Sequence, residues 1–174
     1  MAEDSPPRGA SLPGPGDLSG LTEAPGRCYD RSLDRPPLPA GDGGDMPKTI
    51  VNPPNMAPPT GYSYAVKKTG TPVFVSGQVA LDERGQVVGK GDAEAQTEQV
   101  FKNLTTVVAA CGGSMSDVVK LNVYVTDPAH RPAVAAARLR HFTAGEYPAS
   151  TYVVVSALAI PELLVEVEAV AMID

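Results

Sequence analysis

The sequence predicts an α+β domain: a single mixed sheet with two helices on one face, in the order β-β-β-α-β-α-β-β. Three observations point to it. Apolar residues recur at helical spacing in two stretches, after Asp92 and after Asp127. Runs rich in Val, Thr and aromatic residues flank both stretches. The last two of these runs are joined by the short link Ala159-Ile160-Pro161-Glu162, which predicts adjacent strands.

Residues 1–45 stand apart. They hold 8 Pro and 8 Gly, with 4 Arg against 8 Asp and Glu. Such a segment cannot bury enough apolar surface to offset its ordering entropy. It is expected to be a disordered Pro/Gly-rich extension, with the folded domain spanning 46–174. It lacks an apolar h-region and is too acidic for a transit peptide. Met46, opening "MPKTIVNPPNM", reads like a second start.

Within the domain, "YSYAVKK" and "TPVFVSGQVAL" read as a strand pair separated by Thr69-Gly70-Thr71. "DERGQ" is a turn, and "QVV" after it a short third strand. Asp92 is placed as the N-cap of the first helix, with Glu94 and Glu98 near its positive end. Val100, Leu104, Val107, Val108 and Cys111 form its buried stripe, and Gly112-Gly113 ends it. In "DVVKLNVYVTD" Val119, Leu121, Val123 and Val125 alternate with Lys120, Asn122, Tyr124 and Thr126, as in a half-buried strand. The second helix starts at Asp127 or Pro128 and is broken by Tyr147-Pro148. Its buried side is assigned to Val134, Ala137, Leu139 and Phe142. Arg131, Arg138 and Arg140 are assigned to its wet side, unless one of them reaches a cleft. "STYVVVSAL" and "LLVEVEAVAMI" complete the sheet.

The chain carries 14 Lys and Arg against 20 Asp and Glu, a net charge of −6. Phosphate binding needs a basic face, so no nucleic-acid partner is expected. No run of 18 apolar residues is present, so no membrane span is expected. Cys28 and Cys111 form neither a disulfide framework nor a metal set, which fits a reducing cytoplasm. Cys111 reads as a small buried hydrophobe. His130 and His141 lack a second pair to complete a metal site, and no cofactor is expected. Two helices cover one sheet face only. The last strand alternates Leu164, Glu166, Glu168, Val170 and Met172 with Val165, Val167, Ala169 and Ala171, so neither side is cleanly polar. A bare, largely apolar face predicts a homo-oligomer with sites at subunit boundaries.

Three stretches, "VFVSGQVALD", "AQTEQVFKNLTTVVAACGGSMSDVVKLNVYVTD" and "PELLVEVEAVA", together resemble the RidA/YjgF family of reactive-intermediate deaminases, also labelled endoribonuclease L-PSP. The resemblance runs from about Lys48 to Ile173. It implies a chorismate-mutase-like fold, a homotrimer, and small-molecule clefts between subunits. Deaminating members hydrolyse 2-imino or enamine acids such as 2-aminoacrylate. They use an arginine to grip the carboxylate and a glutamate to position water. A guanidinium suits the first task, and a carboxylate within hydrogen-bond reach of water suits the second.

Carried over by position, the catalytic glutamate falls on Glu166, and substrate-binding positions fall on Tyr62, Ser76 and Gly77. The arginine falls on Ser150, within Pro148-Ala149-Ser150 where deaminating members read Pro-Ala-Arg. Tyr152 stands where cysteine is frequent, and Ala135 where asparagine is frequent. Ser150, Thr151 and Tyr152 are thus expected to offer neutral donors in place of the charged clamp. Without the resemblance these residues read more plainly: Glu166 as a strand carboxylate like Glu168, Tyr62 as strand-start packing, Ser76 as a turn hydroxyl.

The expected function is an enzyme acting on an imine, enamine or enol intermediate, a hydrolase or related acid/base catalyst. Standard 2-aminoacrylate deamination is not expected with Ser150 in place of the arginine. The alternative is a non-catalytic trimeric small-molecule sensor or scaffold. The ribonuclease label is disfavoured by the acidic balance.

Overall fold

A computed structural model describes residues 48–174; the expected disorder of residues 1–45 lies outside the described residues. The main sheet has four strands. They are β3 (Thr71–Val79), β4 (Val118–Val125), β5 (Ala149–Val154) and β6 (Val165–Ile173), in the spatial order β3-β6-β4-β5. β6 is antiparallel to both neighbours, and β5 is parallel to β4. Two shorter strands, β1 (Thr49–Val51) and β2 (Ala65–Lys67), pair antiparallel as a separate ribbon. Helices α1 (Ala93–Ala110) and α2 (Arg131–His141) pack on each other, and α1 lies against β3 and β6.

The expected order string is observed, but three of its assignments change. "QVV" is not a strand: Val87 makes only an isolated bridge to Leu81. The third N-terminal strand is instead Thr49–Val51, which pairs with β2. β2 and β3 therefore do not form the expected pair, and the expected single sheet becomes a four-stranded sheet plus a ribbon. The last two strands are not adjacent either, because β4 lies between them. β5 stops at Val154, so the link to β6 runs from Val155 to Leu164 rather than over four residues. A link of that length spans up to about 33 Å, well beyond the roughly 10 Å needed to pass one strand. The β4 end holds both ends of the link: Val155 N–H donates to the Val125 carbonyl (2.8 Å), and Thr126 N–H to the Leu164 carbonyl (3.1 Å). α2 supplies the crossover that parallel pairing of β4 and β5 requires.

α1 starts as expected. The Asp92 carboxylate accepts from the backbone N–H of Glu94 and Ala95, at 2.9 and 3.1 Å. Val100, Phe101, Leu104 and Val108 are buried, but Cys111 is the exposed C-cap, not a buried hydrophobe. The α1 axis ends before the stripe brings that side chain back to the sheet. In α2 the buried stripe is Val134, Ala137 and Arg138. Positions i, i+3 and i+4 share a helix face, and Leu139 lies one step off it. Leu139 is accordingly 58% exposed, whereas Arg138 is 7% exposed. Both reverse the sequence-based assignment, which followed residue type instead of angle.

The helices cover the sheet face formed by Leu121, Val123 and Val125 of β4 and Val165, Val167, Ala169 and Ala171 of β6. The opposite face carries Asn122, Tyr124, Glu166, Glu168 and Val170, with Phe74 78% exposed. No described helix packs on it.

Candidate active site

Register divides the candidate residues between the two sheet faces. Ser150 is opposite Leu121 and Tyr152 opposite Val123 in the parallel β4–β5 ladder, so both point to the helix-covered face. Thr151, between them, is opposite Asn122 and points to the open face, where Lys120 Nζ donates to its hydroxyl at 2.6 Å.

On the helix side, a pocket of about 450 Å³ opens at the β5 edge. Ser150 and Tyr152 line its β5 side, and Arg131, Ala135 and Arg138 its α2 side, with Tyr62 beside them. Tyr62 reaches it because the chain before β2 runs along β5. Ser63 forms a parallel bridge with Ala149, its N–H donates to the Pro148 carbonyl (3.1 Å), and its hydroxyl to the Tyr147 carbonyl (2.6 Å). Gly61, with φ +68°, makes the turn into this segment, a conformation that favours glycine. Arg138 Nη1 donates to the Gly61 carbonyl at 3.1 Å. Three buried polar atoms here have no hydrogen-bond partner: Arg138 Nε, Ser150 Oγ and Tyr152 OH. Burial lowers the Arg138 pKa and raises that of Tyr152, in each case by disfavouring the charged form.

On the open face, Glu166 lies across from Tyr124 in the β4–β6 ladder. Burial, and then the neighbouring Glu168 carboxylate, raise its pKa above the ordinary glutamate value. Glu168 is held by Tyr124 OH at 3.0 Å and by Asn122 Nδ2 at 3.2 Å. A β-bulge between Val75 and Gln78 frees Ser76 and Gly77 from the β3–β6 ladder. Gly77 lies under Glu166: a Cβ on this residue would overlap the Glu166 carboxylate. Ser76 is exposed and borders a shallow depression with Asn122 and Glu168.

Within one chain the structure therefore brings Tyr62, Ser150 and Tyr152 together, and separately Gly77 with Glu166. Thr151 and Ser76 share the open face. Sequence reasoning left one participant unresolved and missed another. Arg138 was assigned to the wet side of α2, with the exception left open that one of its arginines reaches a cleft; its spacing from Val134 is the signal that singles it out. The Tyr124–Glu168 hydrogen bond, which positions the carboxylate beside Glu166, depends on strand register.

Residues 53–173 match the family model described as endoribonuclease L-PSP. The chain belongs to this family, the RidA/YjgF family. The 3-aminoacrylate deaminase RutC of Acinetobacter baylyi is 36% identical over 126 residues, covering 72% of this chain and 98% of that protein. Among solved structures, YyfB of Yersinia pestis, a Rid-family protein of unknown function, is similar at 38% identity and TM-score 0.69, covering 74% of this chain and all of that one. RidA from the Antarctic bacterium Psychrobacter sp. is similar at 37% identity and TM-score 0.55, covering 64% and 88%. In this RidA-family chain the guanidinium groups lining the β5 pocket, those of Arg131 and Arg138, come from α2.

Proposed function

We propose that this RidA-family chain is a hydrolase of small enamine or imine acids, with Glu166 as its general acid and base. The observation that supports this most is the setting of Glu166. It is a half-buried carboxylate of raised proton affinity, seated on a residue without a side chain, with a second carboxylate fixed beside it. A raised pKa makes this carboxylate a stronger proton acceptor than an ordinary glutamate, and one that can return the proton it takes. The similarity to a 3-aminoacrylate deaminase supports the reaction class.

The chemistry follows in three steps. An enamine protonated on carbon becomes an iminium ion. Water adds its oxygen to the C=N carbon while Glu166 takes one of its protons. The carbinolamine receives that proton on nitrogen, expels ammonia and gives its hydroxyl proton to solvent, which replaces the solvent proton first placed on carbon, leaving a carbonyl acid. The site would form between copies of the chain in a homotrimer, joining the β5 pocket of one to the Glu166–Gly77 pair of the next. The bare sheet face and exposed Phe74 support such an assembly.

Ser150 supports a narrower statement as well: a substrate carboxylate is not gripped from β5, so the arrangement that serves 2-aminoacrylate in deaminating members is not expected here. The test is ammonia release from enzymatically generated 3-aminoacrylate and 2-aminoacrylate. The expected result is acceleration of the first, lost in Glu166→Gln, and little effect on the second. Ser150 equally supports a second reading, a trimeric small-molecule-binding protein without turnover. Failure of the wild-type chain to accelerate either reaction would establish that reading over the first.

A further inference from the structure

We propose that Arg138, assisted by Arg131, is a carboxylate clamp that reaches the β5 pocket from α2 and anchors a small organic acid. The assignment deepens the proposed reaction by naming what holds the substrate. A guanidinium that is 7% exposed demands compensation, because burying an unpaired charge is costly. Yet neither Arg138 nor Arg131 forms an ion pair among the described residues. The third arginine of the helix, Arg140, behaves differently: it turns away to pair with Glu94 and Glu98 of α1.

Arg138 has one fixed bond, from Nη1 to the Gly61 carbonyl, which aims the side chain at the loop carrying Tyr62. Its Nε has no partner. Ser150 Oγ and Tyr152 OH, also buried and unpartnered, line the same pocket. One cation and two hydroxyls converging without an acceptor make a donor-rich cavity, and a carboxylate supplies the acceptors. The volume of about 450 Å³ is that of a small-molecule site. Serine at 150 fits this arrangement: it clears space in front of Arg138, and a long cation on β5 would repel the α2 pair.

Propionate and propionamide, equal in shape and different in charge, serve as probes, titrated calorimetrically into the full chain. Propionate is expected to bind, and propionamide to bind about tenfold more weakly or worse, the loss typical of a charge-assisted bond. Arg138→Gln is expected to abolish that preference. Because the Gly61 bond is lost with it, a second variant is Ala135→Asp, which places a carboxylate in the pocket one helical turn from Arg138 on a surface position. It is expected to fold and to block propionate. Equal binding of the two probes, or unchanged propionate affinity in Ala135→Asp, overturns the clamp. Binding is read without turnover. Charge-selective binding in a chain that deaminates nothing therefore refutes the reaction alone, and turnover without charge selectivity refutes the clamp alone.

Discussion

Gly77→Ala is expected to leave the fold intact and disable the carboxylate above it. The added Cβ would overlap Oε1 and Cδ of Glu166, which is the free end of a flexible side chain and not backbone. Glu166 must retreat by something over ~1 Å to restore van der Waals contact. An off-rotamer adjustment costs about 0.5–1.5 kcal/mol. Gly77 lies outside the positive-φ region, so alanine is sterically tolerated by the backbone. The reduced freedom of the unfolded chain returns about 0.4–1 kcal/mol. Stability should thus change by less than about 1 kcal/mol. Catalysis is more sensitive: a misplacement of about 1 Å costs on the order of 100-fold, or about 2.7 kcal/mol of barrier. The assay pairs thermal unfolding with kcat/KM for ammonia release. A folded Gly77→Ala chain with wild-type activity would refute the view that Glu166 acts from where it lies. Global unfolding would refute the claim that only a side-chain end is displaced.

Other consequences can be checked on the same chain. The raised pKa of Glu166 means the folded state holds its proton more tightly than the unfolded state. Its contribution to stability is therefore fully present below the ordinary glutamate value and is lost as pH rises through the raised one. Denaturant midpoints of wild type and Glu166→Gln should diverge across that window, the variant being the more stable above it; parallel profiles would contradict the shift. Gln96 is fully buried, with Nε2 donating to the carbonyls of Gly89 (3.2 Å) and Glu162 (2.7 Å) and Oε1 accepting from Leu164 N–H (2.8 Å). Gln96→Leu strands these backbone groups and should cost about 3 kcal/mol or more in urea unfolding; a loss below about 1 kcal/mol would show that they find other partners. Phe74→Lys on the open face should convert an oligomer to monomer in light scattering, and an unchanged mass would exclude that face as the interface.

The α1 stripe as far as Val108, the Asp92 cap, the alternation of β6 and that of β4 from Leu121 onward were legible because each is a local periodicity read against one buried face; at the start of β4 a register shift buries Val118 in place of the expected Val119. The strand neighbours were less so. Where "STYVVVSAL" stops is not marked by composition, and moving its end from Leu158 to Val154 changes which strands can be adjacent. Arg138 failed for a different reason. Its angle on α2 marks it as inward, but a charge ordinarily marks the outside, and the resemblance that places a site at Ser150 does not say which arginine of α2 reaches it. Cys111 shows the converse: its spacing fits the stripe, but the helix ends beneath it.

Residue types and their spacing were enough for the class of fold and the family. These rest on short-range pattern and on which side chain occupies a given place along the chain. The separation of Ser150 and Tyr152 from Glu166 onto opposite sheet faces, the seating of Glu166 on Gly77, and the delivery of Arg138 to the β5 pocket came from the folded arrangement. Each depends on register or on the packing of α2 against a strand distant in sequence. Such contacts are settled when the core closes, because only then is a helix angle converted into a neighbour.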